Sequence, residues 1–429
     1  MRVCVLLLMA AGVPLAFAQQ IVLAPPNRPA QAPAAAPQDL NLEDLIAEAL
    51  QHNPELRAAQ KRAEALRARP RQEGALADPT LSVGYSSSGA PLPGWGIGRE
   101  PTSNVGFSVT QDLAYPGKRR LMAGVASKEA DAEVQQFQIA ERAVIARVKR
   151  AYHRLYHADE AVEVMRNSRD SIGQLIQLAE IRYSTGKAAQ QDVFKAQTQA
   201  AIMETRILKM QQDAAMARAE INALLGRALS TPLGKPAHRD PRELKVTVDE
   251  LTAAAGGSSP ILSREQKLAE ARQMAVSLAR KNFNPDFAVS GGYYYMGTMP
   301  DMYQFRLDIK LPNKDRRRAA LTEQVQNLEQ ARSSYQAADQ DTRWRVNELF
   351  LIAQTSWRLI QIYQDTVMPQ SDLSVEAALA SYSTGSLDSM TVLMTVMTRI
   401  EQDERYHEEM LNYFQAIIGL EELTGLELL

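Results

Sequence analysis

Apolar and polar positions alternate along this chain on two different periods. Steps of four and three from Val144 land on Val148, Ala151, Leu155, Ala158, Val162, Met165, Arg169, Ile172, Ile176, Ala179 and Tyr183, a heptad seam interrupted only at Arg169. A repeat of that kind predicts coiled-coil packing of a long helix. From about Arg119 to Arg182 the helix would extend roughly 95 Å at 1.5 Å per residue, and few globular domains have room for that. An earlier helix shows one apolar face at Leu42, Leu45, Ile46 and Ala49, and Ala-rich, charge-laced sequence continues to about Gly74.

From Thr80 the period drops to two. Leu81, Val83 and Tyr85 alternate with Ser82, Gly84 and Ser86, and Val105, Phe107 and Val109 repeat the scheme after a Gly/Pro-rich loop at 87–103. The same event recurs with Phe287, Val289, Tyr293 and Tyr295, and again with Tyr303, Phe305, Leu307, Ile309 and Leu311 opposing Gln304, Arg306, Asp308 and Lys310. Such alternation predicts two hairpins of half-buried strands, about 79–113 and 285–312.

The two hairpins belong to a duplication. Tyr183-Ser184-Thr185-Gly186 returns 199 residues later as Tyr382-Ser383-Thr384-Gly385, and the offset holds through Val193/Val392 and Gly226/Gly425. Upstream, at an offset of 206, Pro54-Glu55-Leu56 matches Pro260-Ile261-Leu262 and Asp78-Pro79 matches Asn284-Pro285. The expected layout is a first repeat at 40–226 with a turn at 183–192, a linker at 227–247, and a second repeat at 248–429 with a turn at 382–391. Halves of this size exceed any solenoid period.

Composition adds a compartment. Residues 1–18 carry Arg2, an apolar run from Val3 to Ala11 and the small residues Ala16 and Ala18 flanking Phe17, the pattern of a signal peptide cut before Gln19. The only cysteine, Cys4, falls inside it, so the mature chain would have no disulfide and no Cys-ligated metal. Residues 19–39 are Pro/Ala/Gln-rich and read as an extended leader. A net charge of -2 gives no bias towards nucleic acid. No apolar run approaches the roughly 20 residues of a membrane helix, so any membrane crossing must be made by strands.

Strands of 8 to 11 residues suit a tilted crossing, and a closed barrel needs one apolar face and one wet one. Eleven of the chain's 26 aromatics lie in 79–115 and 283–312, where interfacial girdles would put them. Arg306, Asp308 and Lys310 would then face the lumen. Four strands cannot close a barrel, whose bacterial minimum is about eight, so the barrel would be shared between copies: eight strands in a dimer, twelve in a trimer. A soluble, half-exposed sheet explains the alternation equally well, in a secreted coiled-coil scaffold or adaptor without channel activity.

Together the duplication, the paired hairpins, the Tyr-x-x-Gly turn with its following Asp192-Val193 and the long helix resemble the TolC-like outer-membrane efflux family over essentially the whole mature chain. The stretch Pro116-Gly117-Lys118-Arg119 is similar to the heavy-metal branch. The resemblance implies a mainly α protomer with a small β part, a twelve-stranded barrel shared by three copies, and a long periplasmic α-barrel. It also implies an inner-membrane pump and a periplasmic adaptor as partners, and a passive exit duct for metal cations, drugs or proteins. Its turns would form the gate and adaptor tip, here Tyr183, Gly186, Asp192, Tyr382, Gly385, Asp388 and Thr391. Asp192 matches the family's acidic position; Thr391 and Met394 do not, and the nearest acid in the second repeat is Asp388. Asp192 either lines the constriction or caps the helix after the turn.

Other polar groups carry less. His153 and His157 have metal-capable i, i+4 spacing, but no third ligand is evident and residues on such a helix are commonly solvated; His407-Glu408-Glu409 is weaker still. The runs Lys118-Arg119-Arg120 and Arg316-Arg317-Arg318 are expected at the periplasmic membrane boundary. Tyr293-Tyr294-Tyr295 would be a girdle or strand filling. No cofactor or catalytic signature is present: there is no P-loop, no Gly-x-Ser-x-Gly and no His-Glu-x-x-His.

Overall fold

The computed structural model describes residues 40–87, 95–237 and 240–428. The expected signal peptide and leader, 1–18 and 19–39, lie outside them, and Cys4 with them. The first half contains α1 (Leu42–His52), α2 (Pro54–Glu73), β1 (Thr80–Ser86), β2 (Asn104–Leu113), α3 (Lys118–Ser184) and α4 (Gln190–Leu224). The second runs α5 (Val248–Ser258), α6 (Pro260–Lys281), β3 (Asp286–Tyr295), β4 (Met302–Lys310), α7 (Lys314–Ile362), a π turn (Tyr363–Val367), α8 (Met368–Thr384) and α9 (Ser389–Thr424). Helix dominates, with one small sheet.

Local chemistry sets the breaks. Between α1 and α2, Asn53 Oδ1 accepts from the backbone of Glu55 at 2.9 Å and of Leu56 at 3.2 Å, while Pro54 opens the new helix without needing a donor. The same side chain donates through Nδ2 to the Leu224 carbonyl at 2.9 Å, which pins this corner to the end of α4. In the long helix of the second repeat, Pro369 has no N–H and would clash with the carbonyl four residues back. The turn before it widens to a π turn, closed by the Met368 N–H on the Tyr363 carbonyl. The first repeat has Asp170 at the matching position, and α3 runs 67 residues unbroken.

The heptad seam is the main packing face of α3. Val144, Val148, Ala151 and Leu155 bury against Leu42, Leu45 and Ala49 of α1 and Ala217, Ile221 and Leu225 at the end of α4. The equivalent cluster of the second repeat joins Leu251 and Ala255 of α5, Val346 and Ala353 of α7, and Tyr413, Phe414 and Ile417 of α9. Towards the turns both repeats share one cluster: Met165, Ile172 and Leu175 of α3, Met203 and Ile207 of α4, Ala378 and Tyr382 of α8, and Val392 and Val396 of α9. With neighbours on two sides, the buried face of α3 broadens there, so Leu175 is more deeply buried than the seam residue Ile176.

The four strands form one antiparallel sheet in chain order, β1-β2-β3-β4. Val83 opposes Phe107, Phe107 opposes Tyr293, and Tyr293 opposes Tyr303; four and six residues along, Val289 opposes Leu307 and Phe287 opposes Ile309. Directly opposed residues share a face, so an apolar surface crosses all four strands. Among the described residues no layer covers it: Val83 is 75% and Phe305 87% exposed. The other face carries Ser82, Ser108, Ser290, Arg306, Asp308 and Lys310. The tyrosine run divides between the two, with Tyr293 and Tyr295 on the apolar face and Tyr294 on the polar one.

Candidate functional site

The two turns at the far end of the long helices are built alike. In the first, Gly186 has φ 72°, its N–H bonds to the Tyr183 carbonyl at 2.9 Å, and the Lys187 N–H bonds to the Arg182 carbonyl at 2.8 Å. In the second, Gly385 has φ 86°, with matching bonds from Gly385 to Tyr382 at 3.1 Å and from Ser386 to Ser381 at 2.9 Å. Both are Schellman-type ends, in which only glycine takes the left-handed conformation without cost. The repeated four-residue motif is the sequence form of this turn.

The helices that follow begin differently. Asp388 is the N-cap of α9: it accepts from the Thr391 N–H at 3.3 Å and from the Thr391 hydroxyl at 2.6 Å. These bonds to the charged form hold its carboxyl below the usual aspartate range, the Thr391 hydroxyl first among them. At the equivalent place α4 has Ala189, which offers no side-chain cap. Asp192 sits one turn in, and among the described residues its carboxylate has no hydrogen-bond or ion-pair partner. The capping role therefore belongs to Asp388, and the first repeat's acid is left available.

The tyrosines differ more. Tyr183 is 46% exposed and Tyr382 only 1%. Over the Tyr382 ring lies Arg182, its guanidinium carbon 4.6 Å from the centroid, donating to the Tyr382 carbonyl oxygen. Burial pushes the Tyr382 phenol up; Arg182 opposes the shift and Asp192 adds to it, so the three groups share one electrostatic neighbourhood. Asp192, Lys195, Ser389 and Met390 line a narrow cleft beside them. Sequence reasoning missed Arg182. Its only signal was that the second repeat has Ser381 at the matching place.

At the other end, where strands meet helices, the polar face of the sheet carries an ion pair between Lys310 and Asp112 at 2.7 Å. Lys118 was expected at the membrane boundary. It is buried, bonded to Asp286 Oδ1 at 2.8 Å and to the Asn284 carbonyl at 3.0 Å, while Arg119 donates to the Gly74 carbonyl. Two cations of that run are thus consumed internally, Lys118 tying the repeats together and Arg119 holding the end of α2 within the first. The cationic run after β4 remains exposed at Lys314 and Arg316.

His153 and His157 are also placed differently from a solvated helix face. Both are buried between α3 and α9, with the His153 ring stacked on Phe414 at 4.0 Å between centroids. Among the described residues no group of three or more His, Cys, Asp or Glu is arranged to hold a metal. Glu409, beside His407, accepts instead from Ser356 at 2.7 Å. No helix of the described residues is long and apolar enough to cross a membrane.

Comparison with known proteins follows this geometry. The model of the outer membrane efflux protein family matches two segments, residues 45–227 and 253–426, one in each repeat. Among solved structures, CusC, studied for the conformational changes that accompany its folding and transmembrane channel formation, superposes with a TM-score of 0.75 at 17% identity, over 90% of this chain and 92% of its own. VceC from Vibrio cholerae gives 0.76 at 19% identity, over 90% and 96%. A membrane protein from Pseudomonas aeruginosa gives 0.78 at 19% identity, over 94% and 100%. No curated protein sequence matches the chain significantly. The fold is that of these TolC-like channels, and with both repeats matched the chain belongs to the outer membrane efflux protein family.

Proposed function

We propose that the protein is the passive outer-membrane exit duct of a tripartite efflux system. Three copies contribute four strands each to a twelve-stranded barrel, and their helices continue as a periplasmic tube towards an adaptor and an inner-membrane pump. The observation that carries this reading is the sheet. It exposes a continuous apolar face, and among the described residues its first and last strands each have one strand neighbour. A soluble sheet would bury that face against another layer. Lipid satisfies the face, and neighbouring copies satisfy the edges.

In the assembled tube the turns at Tyr183–Asp192 and Tyr382–Thr391 form the periplasmic constriction. Arg182 on Tyr382 holds the two turns of one copy together, and opening separates them when the adaptor docks. Three copies of Asp192 supply a ring of carboxylates, which favours cationic cargo, metal ions among them. Arg306, Asp308 and Lys310 line the barrel lumen. Energy comes from the pump. The test is a heat-resistant trimer in detergent with single-channel conductance in planar bilayers; an elongated, water-soluble particle without conductance would overturn the reading.

A further inference from the structure

The duplication makes one half of the sheet a template for a contact that lies between molecules. Within the chain, β2 and β3 form the seam where the repeats meet, with Leu113 opposite Phe287, Gln111 opposite Val289 and Val109 opposite Gly291. The strand equivalent to β2 is β4, since Pro116-Gly117-Lys118 after the one matches Pro312-Asn313-Lys314 after the other, 196 residues on. The strand equivalent to β3 is β1, since Asn284-Pro285-Asp286 matches Asp78-Pro79-Thr80, 206 residues back. A ring of alternating repeats needs a second seam between β4 of one copy and β1 of the next.

We propose that this seam copies the register of the first, so that Ile309, Leu307 and Phe305 of one copy lie opposite Leu81, Val83 and Tyr85 of its neighbour. The inference rests on the shared-barrel reading above and specifies its contact. Three observations support the transposed register. It sets apolar residues against apolar ones at all three positions, as face continuity demands. It places the whole of β1, Thr80 to Ser86, against Lys310 to Gln304, within the observed limits of β4. A slip of one residue would put Leu81 and Val83 opposite Asp308 and Arg306 or Lys310, turning apolar side chains into the wet face.

The lock at the base of the seam is transposed with it. Lys118 is buried on Asp286 and the Asn284 carbonyl, and the Tyr115 N–H bonds to the same Asp286 oxygen at 2.8 Å. Its counterpart Lys314 is exposed, and so is Asp78, the counterpart of Asn284. The acid has moved from the third residue of the triplet to the first, so Lys314 of one copy meets Asp78 of the next. A lysine desolvated by closure of the seam needs that partner.

Cysteine pairs test the register, because the chain has no cysteine beyond Cys4. In the detergent-solubilised full-length protein, Leu307→Cys with Val83→Cys, and Asp308→Cys with Ser82→Cys, sample the two faces. Within one chain β1 and β4 stand three strand spacings apart, about 14 Å, so any disulfide must join copies. Oxidation is expected to give covalent trimers at least about tenfold more abundantly than the slipped pairs Leu307→Cys with Leu81→Cys or with Tyr85→Cys. Preferential cross-linking of a slipped pair, or none from any pair in a trimer, overturns the register and leaves the shared barrel standing; no cross-link in a monomer overturns both. For the lock, Lys314→Glu is expected to lower the temperature at which the trimer dissociates, and Asp78→Lys in the same chain to restore it. No loss, or no restoration, removes the Lys314 to Asp78 contact.

Discussion

Arg182, in the last turn of α3, covers the ring of Tyr382, in the last turn of α8, so the repeat that exposes its own tyrosine shields the other's. The Tyr382 hydroxyl has no partner among the described residues; the contact uses its ring and its main-chain carbonyl. Arg182→Ala and Tyr382→Ala are therefore expected to favour the open channel, whereas Tyr382→Phe should leave it closed. A cation–π contact of about 0.5–2 kcal/mol corresponds to a roughly 2- to 30-fold change in the open-to-closed ratio. Single-channel open probability checks this, and Tyr382→Phe behaving like Tyr382→Ala would contradict it.

The two aspartates near the turns should separate cleanly. Asp192→Asn is expected to weaken cation preference and cation block, with thermal stability little changed. Asp388→Ala removes a helix cap, for a loss of about 0.5–2 kcal/mol, and should leave selectivity alone. Reversal potentials in asymmetric salt, measured beside thermal unfolding, distinguish the two.

Much of this fold could be read from residue periodicity, and the reasons for its limits are specific. The heptad seam located α3 because an apolar stripe recurs every three or four residues from Val144 onward where the helix meets its neighbours, and strict alternation located the strands because each has one apolar face. The roles of Asp192 and Asp388 were harder to read. A cap depends on a shift of three residues between Ala189 and Asp192, which periodicity does not register. Arg182 and Lys118 were unreadable for another reason: each acts on the other repeat, on Tyr382 and Asp286, and a contact of that range leaves no local pattern. The histidines show the same limit, since their spacing fitted a ligand pair while burial against Phe414 decided their surroundings.

Acid should weaken the joint between α3 and α9. Burial holds His407 below its ordinary value of 6.5, with Asp403 and Glu160 opposing that shift and Arg399 adding to it. A histidine whose folded pKa is depressed gives full stability above its unfolded pKa, and the contribution falls as pH drops from about 6.5 through the folded value. Thermal unfolding between pH 7.5 and 5 is expected to show this loss, and His407→Gln to flatten it.

Gly106 should not tolerate a side chain. An added Cβ would lie 2.6 Å from Tyr294 Cδ1 and 2.7 Å from its Cα, and closer still to the Tyr293 carbonyl oxygen. Two of these atoms are backbone, so relief requires the β2–β3 pairing to part. Gly106→Val is expected to lower assembled trimer yield in the membrane, measured on unheated gels.

The uncovered sheet face bears on how the molecule is made. A sheet with one apolar face bare and both edges open has no favourable monomeric state in water, since wetting the face forfeits roughly 25 cal/mol for each Å² that lipid would bury and the edges invite pairing with other chains. The helices, by contrast, bury three apolar clusters within one chain. On the shared-barrel reading, maturation would run in two stages, an early closure of the helical clusters beside an unfinished sheet and a late step in which insertion and trimerisation occur together. Between them, the exposed strands are the part of the molecule open to pairing with other chains.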